Sequence, residues 1–498
     1  MKSYQNLIAG SWQPAQSGQT FRTVNPADAR ETVANYPLSG SADVFEAIAA
    51  AKDASRMWAM MPAIDRGRTL SKTSQIIETR KTELAALLTR EEGKTLAESM
   101  GEVQRAADIF RFFGGRSYQA GGHTIPSDLP RNLLYTRREP LGVVGLITPW
   151  NFPIAIPAWK LAPALVSGNA VVLKPASQTP ALALELGRIL GEAGLPAGVV
   201  NVVVGDGRSV GGEMATHPDI VALSFTGSFP IGHQLYQQLS QRMARAQMEM
   251  GGKNPTIVLA DGDLDLAAKL VAIGGFGLTG QACTATSRVL VEKRVAAEFS
   301  DKLVARAQAI RVGNGLNENI TMGPAVSEQQ LTSNLNYIAD AVAEGATLLW
   351  GGERLTGEGL AYGSFMSPTV LTKVTPEMRI AREEVFGPVV SIIEVDNFDE
   401  ALAIANSVDV GLCASLITRD FRKALLFTEL IEAGVVKVNQ VSTGLALQAP
   451  FGGMKKSSSS SFKEQGDTAV EFYSRVKTIY LDYSAEAGFE GGSATGTR

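Results

Sequence analysis

The stretch PLGVVGLITPWNFPIAIPAW, Pro140 to Trp159, decides the fold. It carries no charge over its twenty residues, about the length that a bilayer-spanning helix needs. The prolines exclude that reading. Pro140, Pro149, Pro153 and Pro157 would break a lone helix repeatedly, and the Asn151 amide would sit unpaired in lipid. What remains is a buried strand, Val143 to Ile147, running into an irregular loop.

Working outward, short β-branched runs alternate with helical stretches between Leu141 and Ser224. Ala170 to Leu173, Val199 to Val204 and Ile220 to Phe225 read as further strands. Thr179-Pro180 is expected to cap and open a helix that ends near Gly191 to Gly194. Such βαβ alternation predicts a parallel, doubly wound sheet. A second series runs through Thr256 to Leu259, Arg288 to Val291, Val389 to Val395, Leu412 to Ile417 and Val435 to Val438, and predicts a second α/β domain. A helical linker near Gln247 to Asn254 is expected to divide the two, beside a cleft of the kind in which ligands bind. Upstream, Val103, Ala106, Ala107, Phe110, Phe113 and Gly114 recur at helical spacing and predict one apolar face. Arg131 to Arg138 and Thr478 to Tyr483 read as strands outside both series. The tail Ser484 to Arg498, rich in Gly, Ser, Thr and Ala, is expected to be flexible.

The 498 residues suit two to three domains. A balance of 46 basic against 50 acidic side chains leaves no basic footprint for nucleic acid. Two cysteines, Cys283 and Cys413, cannot build a disulfide framework, and the polar start MKSYQNLIAG lacks a charged region followed by an apolar core. A reducing cytoplasm is the expected location, with no membrane and no metal site.

Four stretches carry chemistry. GQACTATSR, Gly280 to Arg288, places Cys283 among small residues, where a thiolate would have room for substrate; a small buried hydrophobe is the competing role for a free cysteine. MEMGGKNP, Met248 to Pro255, sets Glu249 before a Gly-Gly pair, unless it is a solvated helix-end glutamate. TPWNFP, Thr148 to Pro153, follows a strand end and offers the Asn151 amide, or an ordinary turn. FTGS, Phe225 to Ser228, closes a strand and opens a helix like a phosphate-cradling turn, without the full glycine fingerprint.

With LKPAS (Leu173 to Ser177), EEVFGPV (Glu383 to Val389) and PFGG (Pro450 to Gly453), these stretches stand in an order and spacing that resemble the aldehyde dehydrogenase superfamily, from about Leu7 to Tyr483. The resemblance implies two doubly wound Rossmann-type α/β domains with a small β-strand oligomerisation arm. Residues 1–117 and 141–252 would bind NAD(P), 253–446 would form the catalytic domain, and 118–140 with 467–483 the arm of a homodimer or homotetramer.

It further implies that Cys283 is the nucleophile towards an aldehyde substrate, that Asn151 and the Cys283 N–H hold the oxyanion, and that Glu249 activates the hydrolytic water. Cofactor positions carried over are Ile147, Thr148, Pro149, Trp150, Gly207 and Met250; Lys174 and Ser177 at the adenosine ribose; Phe225, Thr226, Gly227 and Ser228 at the pyrophosphate; and Glu384 with Phe386 at the nicotinamide. The substrate pocket would comprise Phe152, Trp159, Gly277, Ala282, Thr284 and Phe451. Ser177 stands where family members preferring NAD usually carry a glutamate, which implies that NADP is accepted as well as NAD and leaves open which is preferred. Arg208 is a further candidate for a 2'-phosphate, with a solvated surface arginine the leading alternative.

Within the family, Arg137 to Leu165 and Leu447 to Gly466 look most like the α-ketoglutaric semialdehyde (2,5-dioxopentanoate) dehydrogenases. Two features depart from carboxylate-binding members, which often place arginine at the position of Trp159 or of Gly277. The substrate carboxylate is therefore expected to meet other groups, such as the Ser442 or Thr443 hydroxyls. A broad aliphatic or aromatic aldehyde specificity is the alternative. Glu249 argues against a CoA-acylating activity, and the full set of motifs argues against a non-catalytic scaffold.

Overall fold

Val143–Ile147 is the hub of a seven-stranded sheet whose order, edge to edge, is Arg245–Met250, Ile220–Gly227, Val143–Ile147, Ala170–Lys174, Val200–Val202, Asn6–Ile8 and Ser11–Gln13. The first five strands are parallel, and the last two add as antiparallel neighbours. The computed structural model describes residues 2–119 and 121–483, so Ser484 to Arg498 lie outside the described residues.

The runs carry little alternation because both faces of the sheet are buried. Val144, Leu146, Val171 and Leu173 enter one core, with Phe110, Phe113 and Trp58, while Val143, Ile147, Ala170 and Val172 enter another, with Ile48 and Leu235. Successive side chains thus point into separate cores, as strand geometry requires. The second sheet runs Thr347–Trp350, Thr369–Thr372, Val389–Val395, Arg288–Glu292, Pro255–Val258, Cys413–Ile417 and Val435–Val438, all parallel except the first. It splits its side chains the same way, Ile257 and Leu290 to one core and Val258 and Val289 to another.

Three local readings change. Gln247 to Asn254 is not a helical linker: Arg245–Met250 is a strand, parallel to Ile220–Gly227 from Ala222↔Arg245 to Gly227↔Met250, and only Gly251–Asn254 connects the sheets. Gln, Met and Glu favour helix in isolation, but burial and backbone pairing override that preference. Thr179 does not cap the helix Ala181–Glu192; its hydroxyl donates to Trp150 O at 3.0 Å, and the Ala181 N–H is satisfied by the Glu91 carboxylate at 3.0 Å. The loop after Ile147 is short, because a buried helix, Ala155–Val166, begins within the proline-rich stretch. Pro157 falls in its first turn, where an N–H would have no helical partner anyway.

Outside both sheets, Asn132–Pro140 pairs antiparallel with Ser474–Asp482, and Thr124–Ile125 adds to the other side. Residues 467–483 are divided between two settings: the helix Gly466–Phe472 places Ala469 and Phe472 in the first core, and only the strand beyond it joins this ribbon. Among the described residues no helix is long and apolar enough to cross a membrane.

Candidate active site

The carboxyl ends of the first sheet's strands and the amino ends of the second sheet's strands line one cleft. The carboxyl ends of the first present Thr148 to Asn151, Lys174 to Ser177, Thr226 to Ser228, and Glu249 with Met250. The amino ends of the second present Asn254 before Pro255–Val258, Cys283 before Arg288–Glu292, and Glu384 with Phe386 before Val389–Val395. Val143–Ile147 leads to Ala170–Lys174 on one side while Ile220–Gly227 lies on the other, so the chain reverses direction between them. Crevices at such switch points are where open α/β sheets bind ligands. A cavity of about 220 Å³ lies there. Pro149, Trp150, Asn151, Thr226, Gly227 and Ser228 line one side; Met250, Cys283, Glu384 and Phe386 line the other, together with Ile156, Gly251 and Gln330.

Cys283 is half-buried in a pinned loop. Leu278, Thr279 and Gly280 all take positive φ, of 55°, 56° and 66°, a costly run for the two residues with side chains. A methyl group at Gly280 would overlap the Gly387 carbonyl. The run is held by the Leu278 N–H donating to Glu98 Oε1 at 2.7 Å and the Thr279 hydroxyl to Gly323 O at 3.1 Å. Asn254 Nδ2 donates to the Cys283 carbonyl at 2.7 Å and to Ala285 O at 2.9 Å. Burial and the nearby Glu384, Glu249 and Glu464 carboxylates push the thiol well up. The thiol is therefore at rest in its protonated form.

Asn151 donates from Nδ2 to Gln281 O at 2.9 Å, which sets its amide beside the cysteine loop. The Cys283 N–H meets no hydrogen-bond acceptor among the described residues. A buried pair fixes the loop from behind: Lys94 Nζ donates to the Asn151 carbonyl and to Glu102, each at 2.6 Å, while Glu102 accepts the N–H groups of Ile154 and Ala155. Phe152 packs its ring on the same ammonium at 4.5 Å.

Glu249 is buried. Its carboxyl accepts the Gly453 N–H at 3.1 Å and the Ser458 hydroxyl at 3.2 Å. Burial and the Glu464 carboxylate raise its pKa well above the usual carboxyl range. Glu464 is itself engaged by Lys160, whose ammonium also reaches the Ser224 hydroxyl at 2.6 Å. Glu384 accepts the Gly252 N–H at 3.2 Å, and burial raises its pKa to about 7.

Toward the far end of the first sheet, Lys174 pairs in register with Ile147 and, among the described residues, donates from Nζ only to the Pro175 carbonyl, at 2.9 Å; burial lowers its pKa to about 8. The Ser177 hydroxyl donates to Gly205 O at 2.9 Å, which draws it toward Gly207, where the next helical turn begins. Arg208 is exposed. Thr148 Oγ1 is buried with no partner. Phe225 packs under Gly227 and Gly232, where side chains would collide with its ring.

The pocket residues divide. Trp150 and Phe386 meet edge to face at 5.2 Å, and Trp159 packs on Phe451 at 6.1 Å. Ala282 and Thr284 are buried on either side of Cys283, and nothing lies within 4 Å of where a side chain at Gly277 would begin. Ser442 is buried, with its hydroxyl paired to Thr286 at 2.9 Å, so it is taken up by the second domain's core.

A sequence model of the aldehyde dehydrogenase family matches residues 12–479. The chain belongs to the aldehyde dehydrogenase family. It is 50% identical over 478 residues to an α-ketoglutarate semialdehyde dehydrogenase of Haloferax volcanii, covering 96% of this chain and 99% of that one. It is 46% identical to an α-ketoglutaric semialdehyde dehydrogenase of Bacillus subtilis, covering 96% and 98%. The crystal structure of an NAD-dependent aldehyde dehydrogenase from Sinorhizobium meliloti superposes with a TM-score of 0.94 at 36% identity, covering 98% of this chain and 96% of that one. This aldehyde dehydrogenase is thus an oxidoreductase acting on aldehydes, on the fold that the motifs implied.

Several residues of the aldehyde dehydrogenase site carry no signal along the chain. Lys94, in the connection between two helices, and Glu102, in the helix Leu96–Arg116, sit in an ordinary charged stretch and reveal a role only through the contact of Lys94 with Asn151. Gln330 lies on a distant helix that otherwise reads as amphipathic. Asn254 was visible as part of MEMGGKNP, but its grip on the Cys283 carbonyl was not.

Proposed function

We propose that this aldehyde dehydrogenase oxidises 2,5-dioxopentanoate to 2-oxoglutarate with NAD or NADP, through Cys283, Asn151 and Glu249. The observation that carries the reading is the meeting of the Cys283 thiol, the Asn151 amide and the switch-point crevice in one cavity. The semialdehyde follows from the names of the two relatives and the length over which they match.

The residues suit a dinucleotide. An orphan hydroxyl at Thr148, a buried ammonium at Lys174 with one carbonyl partner, and the helix Phe229–Gln241, whose first turn has no side-chain cap, leave polar groups for a ribose and a pyrophosphate. Ile147, Pro149, Trp150, Ser177, Gly207 and Phe225 to Ser228 would complete that side, with Met250, Glu384 and Phe386 near the nicotinamide. Once bound, the oxidised nicotinamide supplies a hydride acceptor and a positive charge.

The Cys283 thiol gives its proton to ionised Glu249 through water as its sulfur adds to the aldehyde carbon, and the Asn151 amide with the Cys283 N–H holds the resulting oxyanion. Loss of hydride from that carbon leaves a thioester on Cys283. Glu249 loses that proton to solvent and accepts a proton from water, whose oxygen attacks the thioester; the carboxylate is released as the proton on Glu249 passes to the departing Cys283 sulfur. A raised carboxyl makes this base effective only as pH climbs above the ordinary carboxyl range. In this reading 1–117 and 141–252 carry the dinucleotide and 253–446 the nucleophile. The ribbon of 118–140 and 474–482, with Tyr480, Leu481 and Leu133 exposed, joins subunits into a dimer or tetramer.

The test is a panel of aldehydes, with and without a terminal carboxylate, assayed with both cofactors. The substrate assignment requires the highest kcat/KM on 2,5-dioxopentanoate, and equal values on pentanal would replace it with the broad-specificity reading, which the apolar Trp159–Phe451 wall favours. Glu249→Gln should leave a pre-steady-state burst of reduced cofactor followed by slow turnover. A loss of the burst itself would move Glu249 out of the hydrolytic step.

A further inference from the structure

The substrate reading leaves a chemical question open. The semialdehyde of 2-oxoglutarate carries a carboxylate at the end remote from the aldehyde, and neither Trp159 nor Gly277 offers a cation. We propose that Arg105, with the amide of Gln465 and the indole of Trp159, is the recognition site for that carboxylate.

Arg105 lies one helical turn beyond Glu102, on the same face of Leu96–Arg116. Glu102 binds the first N–H groups of the helix Ala155–Val166, and Trp159 lies one turn further along that helix, so the two helices run on together past this point. Arg105 reaches across the tertiary fold to Gln465, donating from its guanidinium to Oε1 at 3.1 Å. Gln465 directly follows Glu464, whose backbone exchanges two hydrogen bonds of 2.6 Å with Phe451, and Phe451 packs on Trp159. These contacts tie the guanidinium to the segment whose Glu464 pairs with Phe451.

Its hydrogen-bonding state is unbalanced toward donors. Arg105 is half-buried, makes no ion pair among the described residues, and uses one donor on a neutral amide. Burial holds its pKa below the usual arginine value without discharging it. Gln465 is buried, and its Nε2 has no partner; Trp159 is buried, and its Nε1 has none either. Two donors without partners, Gln465 Nε2 and Trp159 Nε1, and a guanidinium with one neutral partner match a ligand group that only accepts. A carboxylate does so, and guanidinium can meet it with two parallel bonds. Lys160 engages Oε1 of the neighbouring Glu464, whose Oε2 is buried and has no partner among the described residues.

This inference rests on the semialdehyde reading, and the experiment separates the two. Wild type, Arg105→Met and Arg105→Lys are compared on 2,5-dioxopentanoate and on pentanal. Removal of a charged hydrogen bond should lower kcat/KM for the semialdehyde by about ten- to hundredfold, chiefly through KM, with pentanal changed by less than about twofold. Arg105→Lys should recover part of the loss. Equal losses on both substrates, or no loss on either, would overturn the role of Arg105 while leaving the substrate intact. A wild-type enzyme with no preference for 2,5-dioxopentanoate would remove the substrate reading instead.

Discussion

The two sheets of this aldehyde dehydrogenase share a design and differ in what fills their switch points. In the second sheet the reversal lies between Pro255–Val258 and Cys413–Ile417. There the Asp261 carboxylate accepts the Thr418 hydroxyl at 2.8 Å and the N–H groups of Arg419 and Asp420, each at 2.8 Å. Asp420 in turn caps the helix Phe421–Leu430 through the N–H groups of Arg422 and Lys423. The crevice is chemically closed. In the first sheet the equivalent crevice keeps Thr148 Oγ1 unpaired and a helix start without a side-chain cap. An α/β crevice becomes a site where the chain leaves its own polar groups unmet, and becomes scaffold where a carboxylate of the chain supplies what a ligand would have supplied.

The contrast can be broken most sharply at the two cysteines. Cys283→Ala at the open cleft should lower turnover on the order of 10⁴-fold or more. Cys413→Ala, whose thiol is buried and donates to the Ser442 carbonyl at 3.3 Å, should keep turnover within about threefold. Rates of NAD(P)H formation decide the pair, and comparable losses would erase the distinction.

The next effect sharpens the description of the open end. Ser177→Glu places a carboxylate beside Lys174, where it would accept from ribose hydroxyls and repel a 2'-phosphate. The ratio of kcat/KM for NADP to that for NAD should fall by about ten- to hundredfold. An unchanged ratio would show that residue 177 does not face the ribose.

A third pair tests the polar accounting directly. Asp261→Ala should cost about 1–2 kcal/mol, seen as a lower Tm, because a hydroxyl and two N–H groups lose their acceptor. Thr148→Val should cost no stability, because its hydroxyl has no partner to lose, yet should raise KM for the dinucleotide. Net hydrogen bonding holds the Asp261 carboxyl below the usual range despite its burial. Its contribution to stability is thus complete above the ordinary aspartate pKa and is lost as pH falls through the lowered value. Asp261→Ala should flatten that acid limb, and Thr148→Val should not.

The smallest effect is in pH. Burial lowers Lys174 to about 8, so its positive charge fades as pH rises through that value. Binding of NADP should weaken severalfold relative to NAD between pH 7 and pH 9, and Lys174→Met should abolish the pH step. Titration of both cofactors by fluorescence would reveal it, and an equal pH response for the two would place the lysine away from the 2'-phosphate.

Much of this was written along the chain, for a physical reason. A strand buried on both faces needs an unbroken apolar run, so Val143–Ile147 and Val389–Val395 could be read where they lie. Cys283, Glu249, Asn151 and Lys174 stood in short stretches whose glycines and prolines mark the ends of such strands. Local preference misled where tertiary pairing outweighed it, as at Arg245–Met250, and where a cap came from afar, as Glu91 does for Ala181.

The sequence by itself determined that there are two wound sheets and which residue types face the cleft between them, because periodicity and turn chemistry are local. Only the tertiary structure decided which polar groups were left unmet. That Asp261 closes one crevice, that Lys94 grips the Asn151 carbonyl, and that Arg105 meets Gln465 rather than an acid are outcomes of contacts between residues up to 360 positions apart. Hydrogen-bond satisfaction depends on such encounters, and no window of sequence contains both partners.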